Sequence, residues 1–593
     1  MPQYLSKSDY KLARDCPTKL YYQKLHYPSR HDDDAFGAML AEGGFVFEAL
    51  AKLQYPDGIT IDESLSLEES AATTLIALQA DQVTLFEATF ISHGKLARVD
   101  ILVKHGNTLD LIEVKSKSYH PDDTFRSGKS WSSEWLPYLE DVAFQALVLQ
   151  ECLPDVEIRP FLLLPDTTQT LTIEHIRTWF AFEQLGRAGE WVRRVVAVTG
   201  DAAILQQQSV MALVPVASEI ADLLPEVARH AARFLHNLNP LVRAEPQLTH
   251  RCGQCEYRLA GTAERNGFVE CWRELAQVDH HLLDLYFVGA TNVAQELIGL
   301  GTVHLFDVPP ERLRTKNGSI GKRNRRQLIQ LEYTRQNREW VSDELPAVLQ
   351  TLEYPLHFVD FETARFVLPS HANLAPYALE AFQWSCHTLV APDAPLTHSE
   401  WINSGADFPN ERFARSLMAQ LGTNGTMLAW GHHESTTLRQ IAEQLAVRES
   451  GDAALHEWLA TMSAKDRIID MNALTIEHYF HPLMRGQTSL KVVADAIWRS
   501  EASLRERFAA LLGVTAAGAT SLYKTLRPVA AGDQTWSVQN GTEALRAYQA
   551  MIDLLMIDHP EAAIWGRLLL DYCRLDTLAM VLVWQRWREL CDK

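Results

Sequence analysis

Two stretches of the chain alternate apolar and polar residues with the period of two that a half-buried strand requires. The first, residues 95–118 (KLARVDILVKHGNTLDLIEVKSKS), reads as two β-rich runs around a His-Gly-Asn-Thr turn and predicts an antiparallel hairpin folded about Gly106. The second, LHFVDFETA at 356–364, predicts a strand that opens the last part of the chain. Elsewhere the apolar residues recur every three or four positions. DVAFQALVLQ at 141–150 and WGRLLLDYCRLDTLAMVLVWQRW at 565–587 therefore predict helices, the second long and amphipathic. TMLAWGHHESTTLRQIA at 426–442 predicts a strand running into a helix, and RIIDMNAL at 467–474 another strand-like run. Helix and strand interleave, so the fold class is α/β. Composition and cysteine placement divide the chain near 275 and 350 into parts spanning 1–275, 276–350 and 351–593.

A length of 593 residues predicts several folding units, and 47% hydrophobic with 22% charged residues excludes a disordered or fibrous chain. No run of about 18 apolar residues occurs, so no membrane partner is expected. The opening MPQYLSKSDYKLARDCP has neither an apolar core nor a small-residue cleavage site. That predicts a cytoplasmic protein whose eight cysteines remain reduced. The 55 Lys and Arg against 75 Asp and Glu give a net charge of -20. This does not exclude nucleic acid, because carboxylates gathered to hold divalent metals add to the negative count.

Folding the hairpin about Gly106 places Asp100 nearly opposite Glu113, and alternation puts Glu113 and Lys115 on one face. Two carboxylates and the Val114 carbonyl then offer oxygen ligands to magnesium or manganese, while Lys115 orients a water or offsets phosphate charge. Glu48 on a helix after Gly43-Gly44, and Glu87 in FEATF, are further acids within reach of such a site. Gln145, on the helix 141–150, carries an amide able to orient Lys115 or a phosphate. A half-solvated hairpin is the plainer alternative, but the apolar run around Glu113 and Lys115 favours a site. In 356–364 the same alternation puts Asp360 and Glu362 on one face. Tyr572 and Asp576, four apart, share a face of the closing helix. Glu434 near a helix start joins this acidic set, and Asp470 after a strand-like run is either a metal ligand or a structural group. An exposed strand end is the plainer alternative for Asp360 and Glu362.

Asp100, Glu113-Val114-Lys115 and Gln145 resemble the PD-(D/E)XK nuclease pattern of the RecB type. Cys16, Cys252, Cys255 and Cys271 resemble the cysteines of CRISPR-associated RecB-family exonucleases. Asp360, Glu362, Glu434 and Tyr572-x-x-x-Asp576 resemble the DEDD exonucleases of the DnaQ group. Together with HPLMRGQTSLKVV at 481–493, they resemble an uncharacterised bacterial family that fuses the two modules. The resemblance implies a restriction-endonuclease-like domain over 1–275, a helical basic linker over 276–350, and an RNase H-like 3'-to-5' exonuclease domain over 351–593. It implies catalytic roles for Asp100, Glu113, Lys115, Gln145, Asp360, Glu362, Tyr572 and Asp576. Glu48, Asp100, Glu113, Val114, Asp360, Glu362, Glu434 and Asp576 would hold metal, and Tyr572 would position the attacking water.

Four thiolates suit a 4Fe-4S cluster, favoured here, or a structural zinc. Between 311 and 326, Arg312, Arg314, Lys316, Lys322, Arg323, Arg325 and Arg326 stand against Glu311 alone. Preceded by a helix-hairpin-helix-like FVGATNVAQELIGLG, this run predicts contact with a phosphate backbone. The expectation is a two-site nuclease acting on DNA with single-stranded ends, in repair, recombination or anti-phage defence. The alternatives are a nucleic-acid-binding scaffold with one or both sites inactive, and an exonuclease directed to RNA.

Overall fold

The computed structural model describes residues 3–31, 35–62, 64–185, 193–208, 210–259, 261, 265–290, 292–315, 317–448, 452–465, 467–515, 520–531 and 534–592. The chain is mixed α/β and divides into two units. One comprises Met1–Gln247, Leu259–Gly267 and Arg365–Ala378; the other Leu248–Arg258, Phe268–Ala364 and Leu379–Lys593.

In the first unit, helices α1 (Lys7–Asp15) and α2 (Ala35–Lys52) precede a meander of strands β1 (Gln82–Ser92), β2 (Lys95–His105) and β3 (Thr108–Val114). Helix α1 is started by a capping box between Ser6 and Asp9. The turn falls at Gly106, whose positive φ of 59° suits glycine, and β2 pairs antiparallel with β3 with Ile101 opposite Ile112. Helix α3 (Leu136–Cys152) follows, then β4 (Glu157–Pro165), β5 (Met211–Pro215) and α4 (Ala217–Leu238). The seven-stranded sheet runs β5-β4-β3-β2-β1 and ends at the short strand Ile59–Thr60, with Leu5–Ser6 pairing beside β2. Strand β4 lies parallel to β3, so the crossover through α3 covers one face. There Leu139, Val142, Phe144 and Leu149 of α3 pack with Leu102, Leu111 and Leu162.

In the second unit, helix α5 (Lys322–Arg335) precedes strands β6 (Leu356–Ala364), β7 (Glu380–Leu389) and β8 (Thr397–Ile402). Then come α6 (Asn410–Leu421), β9 (Thr426–Ala429), α7 (His433–Val447), β10 (Ile468–Asp470), α8 (Met471–His478) and α9 (Leu490–Ser500). The closing helix α10 spans Ala562–Cys591. The five-stranded sheet runs β8-β7-β6-β9-β10, antiparallel among the first three and parallel from β6 through β10. Helix α10 is tied to β7 by Gln383 Nε2 donating to the Leu569 carbonyl at 2.9 Å. Thr577 Oγ1 adds contacts of 2.9 Å to Ser385 and 2.8 Å to His387. These bonds fix which turn of α10 faces β7. No helix among the described residues is long and apolar enough to cross a membrane.

Candidate functional site

The first unit gathers its charged groups at the end of the β2–β3 hairpin. Glu113 is fully buried. Its carboxylate receives Lys115 Nζ at 2.6 Å, Lys7 Nζ at 2.5 Å and Gln145 Nε2 at 2.5 Å. Asp100 accepts the Val114 amide at 2.8 Å, and Lys115 also reaches Asp141 at 3.2 Å. On α2, Glu48 pairs with Lys52 at 2.6 Å, and Lys52 reaches Glu87 at 2.8 Å. Glu87 takes a positive φ of 57° inside β1, a conformation costly for a non-glycine residue.

Burial opposes ionisation of Glu113, but Lys115 and Lys7 outweigh it and hold the carboxyl below its ordinary range. Asp100 goes the other way: burial, then the charge of Glu113, push it well above the usual range against Lys7 and Lys115. Lys115 is raised despite burial, by Glu113, Asp141 and Asp100, so it stays an ammonium at neutral pH. It can neutralise phosphate charge but cannot accept a proton. Lys7 and Asp141 carried no local sequence signal. Lys7 comes from a helix 106 residues away, and Asp141 precedes Gln145 by one helical turn.

In the second unit, Asp360 and Glu362 lie on the central strand β6, both keeping some surface open to solvent. Asp576 on α10 and Glu434 in the first turn of α7 are buried beside them. Burial and then Asp576, Glu362 and Glu434 push Asp360 well above its ordinary range. Burial and Asp576, with Glu434, do the same to Glu362 against the opposing charge of Lys491. Burial takes Glu434 up to about 7, and its Oε2 has no hydrogen-bond partner. Tyr523 donates its hydroxyl to Asp576 Oδ1, and Tyr572 bonds the same carboxylate. Lys491 stands 4.9 Å from the Tyr523 ring centroid and 5.0 Å from that of Tyr572. Cys573 Sγ lies 3.2 Å from Asp360 Oδ2, so this thiol belongs to the acidic cluster and not simply to the core.

Asp470 caps α8 through the amides of Asn472 and Ala473, and His432 approaches it at 3.6 Å. Tyr523, Lys491 and Cys573 went unread in sequence. The one available signal was the segment 481–493, where Gly486 has a φ of 74° and an added Cβ would lie 2.2 Å from the Asp284 carbonyl.

Both donor sets suit hard divalent cations. Each offers carboxylate oxygens, and the orphaned Glu434 Oε2 and the upward-shifted carboxyls of Asp360 and Asp100 are groups that a cation would satisfy. For the sulfur ligands, Cys252 lies in the turn His250–Gln254 and Cys271 in the helix Gly267–Trp272, both against the core of Phe268, Trp272 and Leu283. Cys255 follows that turn, and all three belong to the second unit; Cys16 belongs to the first, between α1 and the helix Pro17–Lys24.

Of the basic run, Arg312, Arg314, Lys322, Arg323 and Arg325 are exposed, and Lys316 lies outside the described residues. Arg312 pairs with Glu296 at 2.5 Å, and Lys322 pairs with Glu477. Arg326 corrects the expectation of a phosphate contact. It is only 2% exposed and donates to the carbonyls of Thr475 and Tyr479, because this face of α5 is buried. Gln327 and Gln330 on the same helix bond the backbone of Tyr286 and Asp284.

Fold and sites thus define a mixed α/β protein with a lysine-neutralised carboxylate cluster in one unit and an acid-rich one in the other. Residues 357–489 match a family model described as a domain of unknown function, DUF2779. No curated protein and no solved structure matches the chain.

Proposed function

We propose that the chain is a divalent-metal-dependent nuclease with two active sites that hydrolyses phosphodiester bonds of DNA. The observation that carries this reading is the convergence of Asp360, Glu362, Glu434 and Asp576 from a strand and two helices, with the charges of Asp576 and Glu434 raising both strand acids. Four such acids cost stability in an unliganded protein, and a cation pair is the common reason for keeping them. The five-stranded mixed sheet with two of these acids on its central strand supports the RNase H-like reading.

Asp360, Glu362, Glu434 and Asp576 would hold magnesium or manganese, which supplies Lewis-acid stabilisation of the scissile phosphate and a more acidic bound water. Tyr572 is raised by burial and then by Asp576, so its phenol stays protonated and orients a water by hydrogen bonding. Lys491 places a positive charge beside the same acids. At the other site Asp100, Glu113, the Val114 carbonyl and Glu48 would hold the cation, Lys115 would offset phosphate charge, and Gln145 fixes Glu113. Cys252, Cys255 and Cys271, all in the second unit, would supply thiolates to a 4Fe-4S cluster, with zinc as the alternative occupant.

The test uses anaerobically purified protein on end-labelled single- and double-stranded DNA and RNA with manganese or magnesium, beside Lys115→Ala and Asp360→Ala. Each variant is expected to lose a different set of products on DNA. Binding without cleavage by every form would overturn the reading in favour of a scaffold, and cleavage of RNA alone would replace DNA as substrate.

A further inference from the structure

A second kind of ligand set lies in the first unit, away from either acidic cluster in composition. Glu174, His175 and His371 bring one ligand atom each to within 4.8 Å of one another. Glu174 Oε1 is 2.7 Å from His371 Nδ1 and 3.8 Å from His175 Nε2. His371 and Glu174 are 197 residues apart in sequence. They meet because the excursion 365–378, which follows strand β6, is part of the first unit. Its backbone is stitched to the segment before α4: His175 donates to the Ser370 carbonyl at 2.7 Å, Asn373 to Leu171 at 2.7 Å, and Leu171 to Leu374 at 3.0 Å. Val367 and Leu368 share an apolar cluster with Leu171, Ile173 and Ile176.

We propose that Glu174, His175 and His371 form a zinc-class metal site that fastens this excursion to the first unit. Two imidazoles and one carboxylate are a borderline donor set that favours zinc over magnesium, and three protein ligands leave a fourth position for water. Tetrahedral coordination at zinc bond lengths separates ligand atoms by roughly 3.4 Å, so the 2.7 Å pair opens and the 3.8 Å pair closes by under about 1 Å. The carboxylate is already oriented, since Glu174 Oε2 accepts the Ala372 amide at 2.8 Å. His175 holds a positive φ of 50°, a conformation that costs a non-glycine residue on the order of 1 kcal/mol and is retained where a side chain must be aimed. His371 is buried, while the Glu174 side chain is 50% exposed, so an ion can enter from solvent.

The site also bears on the first acidic cluster. Tyr377 of the same excursion donates to the carbonyl of Ser116, the residue after Lys115. A metal at Glu174, His175 and His371 therefore steadies the segment that follows β3, beside Glu113 and Lys115.

The test measures zinc per chain and melting temperature after chelator treatment and dialysis against zinc, with excess magnesium present to occupy carboxylate clusters. Wild type, Glu174→Gln, His175→Gln and His371→Gln are compared. The full-length wild type is expected to bind one zinc more than each variant and to melt higher with zinc than without. Cobalt substitution should give visible d–d bands that the variants lose while any sulfur-to-cobalt bands persist. His371 is buried, so its variant can misfold; Glu174→Gln and His175→Gln alter more accessible groups and decide the matter. Unchanged zinc content and cobalt bands in these two variants would overturn the proposal.

Discussion

The two acidic clusters solve the same electrostatic problem in opposite ways. Around Glu113 the protein supplies its own cations: Lys7 and Lys115 both touch the carboxylate, and the group stays ionised although wholly buried. Around Asp360 the acids face one another, Lys491 opposes the shift of Glu362 and Asp576, and Asp360, Glu362 and Glu434 are all pushed toward holding protons. Clusters of similar donor chemistry thus differ in how their charge is offset. In the first cluster lysines offset the buried carboxylate, and in the second the acids are pushed toward their protonated forms.

The largest effect that separates them is on catalysis. Asp360→Asn is expected to reduce cleavage at the second site by on the order of 10³-fold or more while leaving first-site products intact, read on end-labelled DNA. Equal loss of both product sets would merge the two sites into one.

The next effect is pH-dependent. Glu434 has an ordinary value of 4.5 and a folded value of about 7. Between these the folded protein holds a proton that the unfolded chain has released, so the contribution is intact below 4.5 and lost as pH rises toward 7. Metal-free wild type should lose a few kcal/mol of stability over that interval relative to Glu434→Gln, and manganese should restore it. Glu113 has the opposite sign: its folded value is depressed, so its contribution is present above 4.5 and disappears as pH falls through the folded value. Denaturant melts of wild type, Glu434→Gln and Glu113→Gln across pH would show parallel curves if the contrast were false.

A smaller effect sharpens the same comparison. Glu113→Gln leaves Lys7 and Lys115 facing an amide and should cost about 1–3 kcal/mol of stability. Asp360→Asn relieves repulsion and should leave metal-free stability unchanged or higher. The smallest concerns the exposed basic run. Arg323→Ala and Arg325→Ala should each lower the salt dependence of DNA binding by about one unit of slope, whereas Arg326→Ala should instead destabilise the fold.

What could be read in the sequence was what local geometry determines. The Gly106 turn places Ile101 opposite Ile112 and so brings Asp100 beside Glu113. The i, i+2 spacing of Asp360 and Glu362 and the i, i+4 spacing of Tyr572 and Asp576 follow from one strand and one helix. Partners delivered by tertiary packing were not legible: Lys7, Asp141, Tyr523 and Lys491 have no periodic relation to the groups they meet. Cys573 sits among leucines and reads as core, because only the docking of α10 on β6 sets its thiol against Asp360. Arg326 reads as part of a solvated basic run, because burial of its face of α5 depends on the carbonyls of Thr475 and Tyr479.

Divalent-metal binding at the second cluster is read by titrating metal-free protein with manganese while measuring proton release, wild type beside Asp360→Asn. Between pH 4.5 and 7 manganese binding is expected to release protons from the wild type, and Asp360→Asn to lose both the binding and the release. Equal binding and equal proton release by the two proteins, or no binding by the wild type, would contradict a metal site there.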